Sequence, residues 1–362
     1  MAIGLFLLGL VLLIVGAELL VRGASRLAAA FGIAPLVIGL TVVAFGTSSP
    51  ELAVSIKAAL SDQASIAVGN VVGSNIFNVL FILGLSALIV PLVVSKQLIR
   101  LDVPLMVAVS VVVLLLALDG GFGRVDGAIL AGSLVAYVAF LIWQSRRDSA
   151  AAAAAAGDVE LPAEGPGHPV KNIALVVVGL VLLVLGSRWL VDSAVAFAQH
   201  LGVSELVIGL TIVAAGTSLP EVVTSVLAAL KGERDIAVGN VVGSNIFNLM
   251  GVLGLASIIA PSGIDVSPAV IGFDLPVMIA VAFACLPIFF TGGVITRLEG
   301  GVLLAYYGIY TLYLIMAATH HDALAGFSSV MLYFVLPLTA VTLVVVAAQE
   351  MRKSGRGRGS AR

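Results

Sequence analysis

Thirteen residues, IAVGNVVGSNIFN, run from Ile66 to Asn78 and recur without change from Ile236 to Asn248. The same shift of 170 residues lays Gly9 on Gly179, Gly16 on Gly186, Gly39 on Gly209, Thr41 on Thr211 and Glu51 on Glu221 without a gap. With drifting offsets the likeness continues through Asp102 with Asp274, Arg124 with Arg297 and Asp126 with Glu299. The chain is therefore two copies of one unit, and any fold it adopts has to place both.

The solvent of that fold is lipid, because hydrophobic residues make up 60% of the chain and charged residues only 10%. Apolar runs near 3–21, 33–60, 66–94, 101–118, 127–143, 172–191, 203–230, 236–261, 268–290, 300–317 and 329–348 each approach the roughly 20 residues that a spanning helix needs. None alternates with period two, so the runs predict eleven helices rather than barrel strands. Each copy holds five of them. An odd number makes the second copy enter the membrane from the opposite side, and the last helix falls outside the repeat. The fold class expected is an all-α integral membrane protein of two inverted-topology repeats of five helices plus an extra C-terminal helix. Its divisions are a first repeat (1–144), a cytoplasmic linker (145–171), a second repeat (172–318), an external loop with the added helix (319–348) and a basic cytoplasmic tail (349–362).

Orientation follows from the basic residues. No positive charge precedes the first run and Arg22 follows it, which predicts a retained helix with the N-terminus outside. Counting from there puts Arg22, Arg26, Lys96, Arg100, Arg146, Arg147, Lys171, Lys231, Arg234, Arg297 and the tail from Arg352 to Arg362 on one side. Lys57, Arg124 and Arg188 fall opposite. The crowded side is then the cytoplasm, as expected for a multi-pass protein of the cell (inner) membrane. The lone Cys285 lies within a span and reads as a small buried hydrophobe, which leaves no disulfide.

Two short stretches break the apolar pattern, GTSSPE at 46–51 and GTSLPE at 216–221. Pro50 and Pro220 cannot donate to the carbonyls of Gly46 and Gly216, so each helix has to kink or break beside its glutamate. Backbone freed at membrane depth needs protein, water or an ion as partner, which is why broken helices mark transporter sites. Thr47, Ser48 and Glu51 fall at i, i+1 and i+4, facing one locus. In the copied run Ser74 with Asn78, and Ser244 with Asn248, are four apart. Gly69 with Gly73, and Gly239 with Gly243, are spaced alike for close helix approach. For Ser74 and Asn75, bonding between helices is an equal alternative. An ionisable group at the depth of Glu51 or Glu221 is costly and points to function. All these donors are oxygens, without thiolate or imidazole, a chemistry that suits a hard divalent cation such as calcium.

GTSSPE with GNVVGSNIFN, and GTSLPE with its own copy of that run, resemble the two alpha-repeats of the calcium/cation antiporter superfamily. The pattern is most similar to its prokaryotic sodium/calcium exchanger branch, over residues 1 to 318. The resemblance implies a ten-helix core, alternating access and exchange of sodium for calcium. It also implies ion ligands at Thr47, Ser48, Glu51, Ser74 and Asn78, at Thr217, Ser218, Glu221, Ser244 and Asn248, and at the carbonyls of Ala44 and Ala214. The chain departs from the family in carrying Asn248 where an aspartate is common, and in the span at 329–348.

The expected function is a secondary antiporter exporting calcium against sodium, with calcium/proton exchange as the alternative and a cation channel behind both. No nucleophile and base constellation suggests an enzyme. Expected partners are calcium and sodium ions, with protons as the alternative, and the lipid bilayer; no cofactor or nucleic acid is expected, and no protein partner is specified. Glu18 with Arg22 and Arg188 with Asp192 predict intrahelical pairing or snorkelling. Asp102 and Asp274, each two residues before a proline, predict helix caps or interfacial anchors. His168 reads as a linker residue, His320 and His321 as residues of an external loop, and the tail as a solvated end.

Overall fold

The computed structural model describes residues 2–61, 64–156, 169–200 and 214–342. The first repeat runs through α1 (Ala2–Phe31), α2 (Pro35–Thr47) and α3 (Ser49–Leu60). It continues with α4, which is Ala64–Phe77 carried through a π turn at Asn78–Leu83 into Gly84–Ile89, then α5 (Leu98–Ala117) and α6 (Arg124–Ala156). The second runs through α7 (Pro169–His200), the turn α8 (Ala214–Gly216), α9 (Leu219–Leu230), α10 (Arg234–Ile259), α11 (Val270–Phe290) and α12 (Arg297–Ala318). A last helix, α13, spans Leu324–Thr342. Among the described residues nine helices are long and apolar enough to cross a membrane, or ten if α2 and α3 count as one bent span. The remaining expected span, 203–230, is described only in its second half, since 201–213 lie outside the described residues.

The copied helices form the centre. In their most apolar stretch 72% of α4 and 83% of α10 are buried, against 0% of α13. Both carry a π turn starting at the asparagine that ends the copied run, Asn78–Leu83 and Asn248–Val252, and such turns are frequent at functional sites. Glycine seams join the copies crosswise: a Cβ on Gly84 would meet the Gly300 carbonyl at 3.0 Å, and one on Gly127 the Gly254 carbonyl at 2.5 Å. Gly239 and Gly243 likewise press on Leu36 and Leu40. Gly69 and Gly73 have no such neighbour among the described residues; their counterpart segment lies within 201–213.

Outside this centre α1 and α7 run antiparallel. Gly9, Gly16 and Gly23, seven apart and so two turns apart, face Gly186, Gly179 and Asn172. Two strand pairs also tie the repeats together. β1 (Leu92–Val93) pairs antiparallel with β4 (Val294–Ile295), and β2 (Gly121–Phe122) with β3 (Ile264–Asp265). Each pair takes one strand from each copy.

Several expectations are corrected. Glu18 forms its ion pair with Lys231, across helices, rather than with Arg22. Asp102 is no cap: it is fully buried and accepts hydrogen bonds from Tyr137 Oη (2.8 Å) and Gln97 Nε2 (3.3 Å). Asp274, half-buried, accepts from Tyr310 Oη (3.1 Å), so a tyrosine of the fifth helix anchors the fourth in both repeats. Within the expected linker, whose alanine run is compatible with a short helix, α6 runs on to Ala156, and 157–168 lie outside the described residues. The added helix starts at Leu324, five residues before the predicted 329.

Tyr137→Phe leaves a buried carboxylate with one donor fewer. The expected result is a stability loss of about 1–3 kcal/mol, read as a lower melting temperature in detergent. Tyr310→Phe, beside a half-exposed carboxylate, should cost less; equal melting of both variants and the native chain would refute the anchoring role.

Candidate ion site

The two breaks lie at Ser48 (φ −80°, ψ 8°) and Ser218 (φ −88°, ψ 8°), where the chain leaves helical geometry. At the first, α2 and α3 meet at 46°. Pro50 and Pro220 sit in the first turn of the new helix, where a missing N–H costs nothing. The carbonyl of Gly216, which Pro220 cannot serve, accepts from Ser187 Oγ of α7 at 2.7 Å.

Each break serine reaches the glutamate of the other repeat. Ser48 Oγ donates to Glu221 Oε1 at 3.0 Å, and Ser218 Oγ donates to Glu51 Oε1 at 2.9 Å. Ser218 also lies 3.4 Å from Ser74 Oγ. Both carboxylates are sealed from the surface, Glu51 at 0% and Glu221 at 1% exposure. Their second oxygens, Oε2 in each, have no hydrogen-bond partner among the described residues. A buried carboxylate oxygen without a donor is relieved by a proton or by a cation, so the pair has the chemistry to accept either.

The amides behave alike. Asn78 and Asn248 are each 1% exposed, and their Oδ1 atoms have no partner among the described residues. Their Nδ2 groups point away, donating to Asn245 Oδ1 (3.0 Å) and Asn75 Oδ1 (3.2 Å). Ser244 Oγ, one turn before Asn248, is buried without a partner among those residues, while Thr217, beside Ser218, lies against the Glu51 carboxylate. Thr47 Oγ1 lies 3.1 Å from the Val43 carbonyl and 3.0 Å from Asn240 Oδ1. The Ala44 carbonyl accepts the Ser48 N–H at 3.0 Å, and Ala214 opens the short turn α8.

Hydrogen bonds thus join Ser48 with Glu221, and Ser218 with Glu51 and Ser74, as two separate sets. Asn78 and Asn248 are held through Asn245 and Asn75, and Thr47 through Asn240. One supporting set escaped the sequence reading. Asn70 Nδ2 donates to the Glu51 carbonyl (3.1 Å) and Ser55 Oγ (2.9 Å), while Asn240 Nδ2 donates to the Glu221 carbonyl (3.5 Å) and Ser225 Oγ (2.8 Å). Each asparagine clamps a broken helix to the copied helix that follows. The available signal was spacing, since Ser55 and Ser225 stand four residues after their glutamates and Asn70 and Asn240 occur in the copied run.

The family model described as sodium/calcium exchanger protein matches residues 1–143 and 171–316. The chain belongs to the sodium/calcium exchanger family. Among its relatives in that family, the sodium/calcium exchanger MaX1 of Methanosarcina acetivorans is 34% identical, over 84% of this chain and 95% of its own. The putative antiporter CaxA of Alkalimonas amylolytica is 42% identical, over 82% and 93% respectively. A solved structure of the sodium-calcium exchanger NCX_Mj, soaked with zero Na+ and Ca2+, superposes with a TM-score of 0.72 at 32% identity, covering 85% of this chain and 97% of that one. This family member is a membrane antiporter for cations and not an enzyme. The family match ends at 316, ahead of α13.

Proposed function

We propose that this exchanger moves calcium out of the cell in exchange for sodium, by alternating access around the twelve residues from Ala44 to Asn248 identified above. The observation that carries the reading is the pair of buried glutamates, each bonded by the break serine of the other repeat and each leaving its Oε2 without a hydrogen-bond partner among the described residues. Two carboxylates balance one divalent ion, while amide and hydroxyl oxygens complete the roughly six to eight contacts that calcium accepts. The names of MaX1 and NCX_Mj, both sodium/calcium exchangers, support the choice of ions. An outside N-terminus and a cytoplasmic face rich in Arg and Lys suit a multi-pass protein of the cell (inner) membrane.

Asn248 sets the coupling. With amides at both Asn78 and Asn248, two formal negative charges meet whichever ions occupy the site, and two sodium ions match one calcium. A third sodium would add uncompensated charge in a low-dielectric pocket. Exchange of two sodium ions for one calcium is therefore expected, and it is electroneutral. Moving one net charge would instead couple transport to voltage by about 2.3 kcal/mol per 100 mV, roughly a fifty-fold bias in the calcium ratio. Calcium flux in proteoliposomes under imposed sodium, proton and electrical gradients tests both parts. Sodium-driven, voltage-insensitive flux supports the proposal; proton-driven flux replaces sodium with protons, and voltage-dependent reversal overturns the electroneutral coupling.

A further inference from the structure

We infer that Asn75 and Asn245 are positioning residues that decide which atom of Asn78 and Asn248 faces the ions. The inference rests on the ion-site reading above. An asparagine amide presents a carbonyl oxygen on one side and two N–H donors on the other, and only the oxygen binds a cation. A side chain free to turn would offer the repelling face as readily as the attractive one.

The orientation can be traced to the main chain. A backbone carbonyl can only accept, so the Asn75 carbonyl, 3.3 Å from Asn245 Nδ2, fixes the amide of Asn245. Asn245 Oδ1 is then turned toward Asn78 and accepts from its Nδ2 at 3.0 Å, which leaves Asn78 Oδ1 on the far side with no partner among the described residues. The mirrored chain of contacts starts at the Asn245 carbonyl, 3.3 Å from Asn75 Nδ2. Asn75 Oδ1 accepts from Asn248 Nδ2 at 3.2 Å, and Asn248 Oδ1 is left free. The remaining N–H groups of Asn75 and Asn245 are directed at Met278 Sδ (3.7 Å) and Met106 Sδ (3.5 Å). Each positioning amide is thereby satisfied at every polar atom, and neither turns without losing several bonds at once in a buried setting. The assignment is crossed: the residue that orients a ligand belongs to the opposite repeat.

A carboxylate presents oxygen whichever way it turns, and this supplies the test. Calcium uptake into sodium-loaded proteoliposomes gives KM and maximal rate for each variant. Asn245→Leu removes the acceptor that holds Asn78, and KM for calcium is expected to rise about tenfold, the worth of roughly one buried hydrogen bond. Adding Asn78→Asp should recover most of that rise, whereas adding Asn248→Asp should not. Asn75→Leu should show the reverse pattern, rescued by Asn248→Asp and not by Asn78→Asp. Equal rescue by either aspartate would mean that added charge alone acts, and it would overturn the inference, as would an unchanged KM in Asn245→Leu. If the leucine variant does not reach the membrane, Asn245→Ala carries the same comparison. Native KM in Asn78→Ala would sink the ion-site reading itself, an outcome distinct from unspecific rescue at a site that does need Asn78.

Discussion

Glu51→Gln and Glu221→Gln are each expected to abolish calcium transport while leaving a folded protein in the membrane. Each change keeps the side-chain shape and the oxygen that Ser218 or Ser48 reaches, but removes one of the two charges that a divalent ion would meet. At an effective dielectric of about 20, a unit charge 4 Å from another is worth about 4 kcal/mol, and twice that against a divalent ion. Even heavily discounted, the loss exceeds a hundredfold in affinity, since about 2.8 kcal/mol suffices for that. Stability should move the other way. Separating two buried carboxylates from water is costly, so either glutamine should raise the melting temperature in ion-free buffer. The rise that calcium gives the native chain should vanish. Calcium uptake and melting with and without calcium check both signs; native uptake by either variant excludes the carboxylate pair as the site.

Gly16→Leu is expected to lower stability and stop transport together. A Cβ at Gly16 would lie 2.8 Å from the Gly179 carbonyl oxygen and 2.8 Å from the Leu183 nitrogen, both main-chain atoms of α7 that cannot turn aside. Overpacking of this kind typically costs about 1–3 kcal/mol, and here it forces two long helices apart. The effect reaches the site because α7 covers both breaks. A Cβ on Gly46 would meet the Leu180 side chain, one on Gly216 would meet that of Val191, and Ser187 holds the Gly216 carbonyl. Gly4→Leu on the same helix is the control, since nothing lies within 4 Å of that position. Similar melting and uptake for the two variants would show that close approach of α1 and α7 is dispensable.

What could be read in advance was whatever is local along the chain. Proline beside glutamate predicts a broken helix from two adjacent residues, and a run copied without change betrays the repeat by itself. Partners distant in sequence could not be read. Ser48 and Glu221 are separated by 173 residues, Asp102 and Tyr137 by 35, and composition near either member says nothing of the other. The sequence offers Asn75 as a bond between helices; the contact of its Oδ1 with Asn248 Nδ2, 173 residues away, is visible only when both copies face one another. The early start of α13 was hidden because Ser328 and Ser329 look polar. Their hydroxyls fold back onto the carbonyls of Leu324 and Ala325, at 2.7 and 2.9 Å, and lose their polarity to the helix itself.

The ion pair of Glu18 with Lys231 has no twin, because Arg188 and Ser61 stand at the corresponding places of the other copy. Under the alternating access proposed above, two repeats that share thirteen identical residues and enter in opposite senses would give inward-open and outward-open arrangements nearly level in free energy. Such a balance is sensitive, for about 1.4 kcal/mol already skews two states tenfold. Both side chains of the pair remain partly exposed, 32% for Lys231 and 42% for Glu18, which limits its worth to about 0–1 kcal/mol. In such a cycle a contact of that size would trim the resting distribution between the two arrangements without trapping the chain in either.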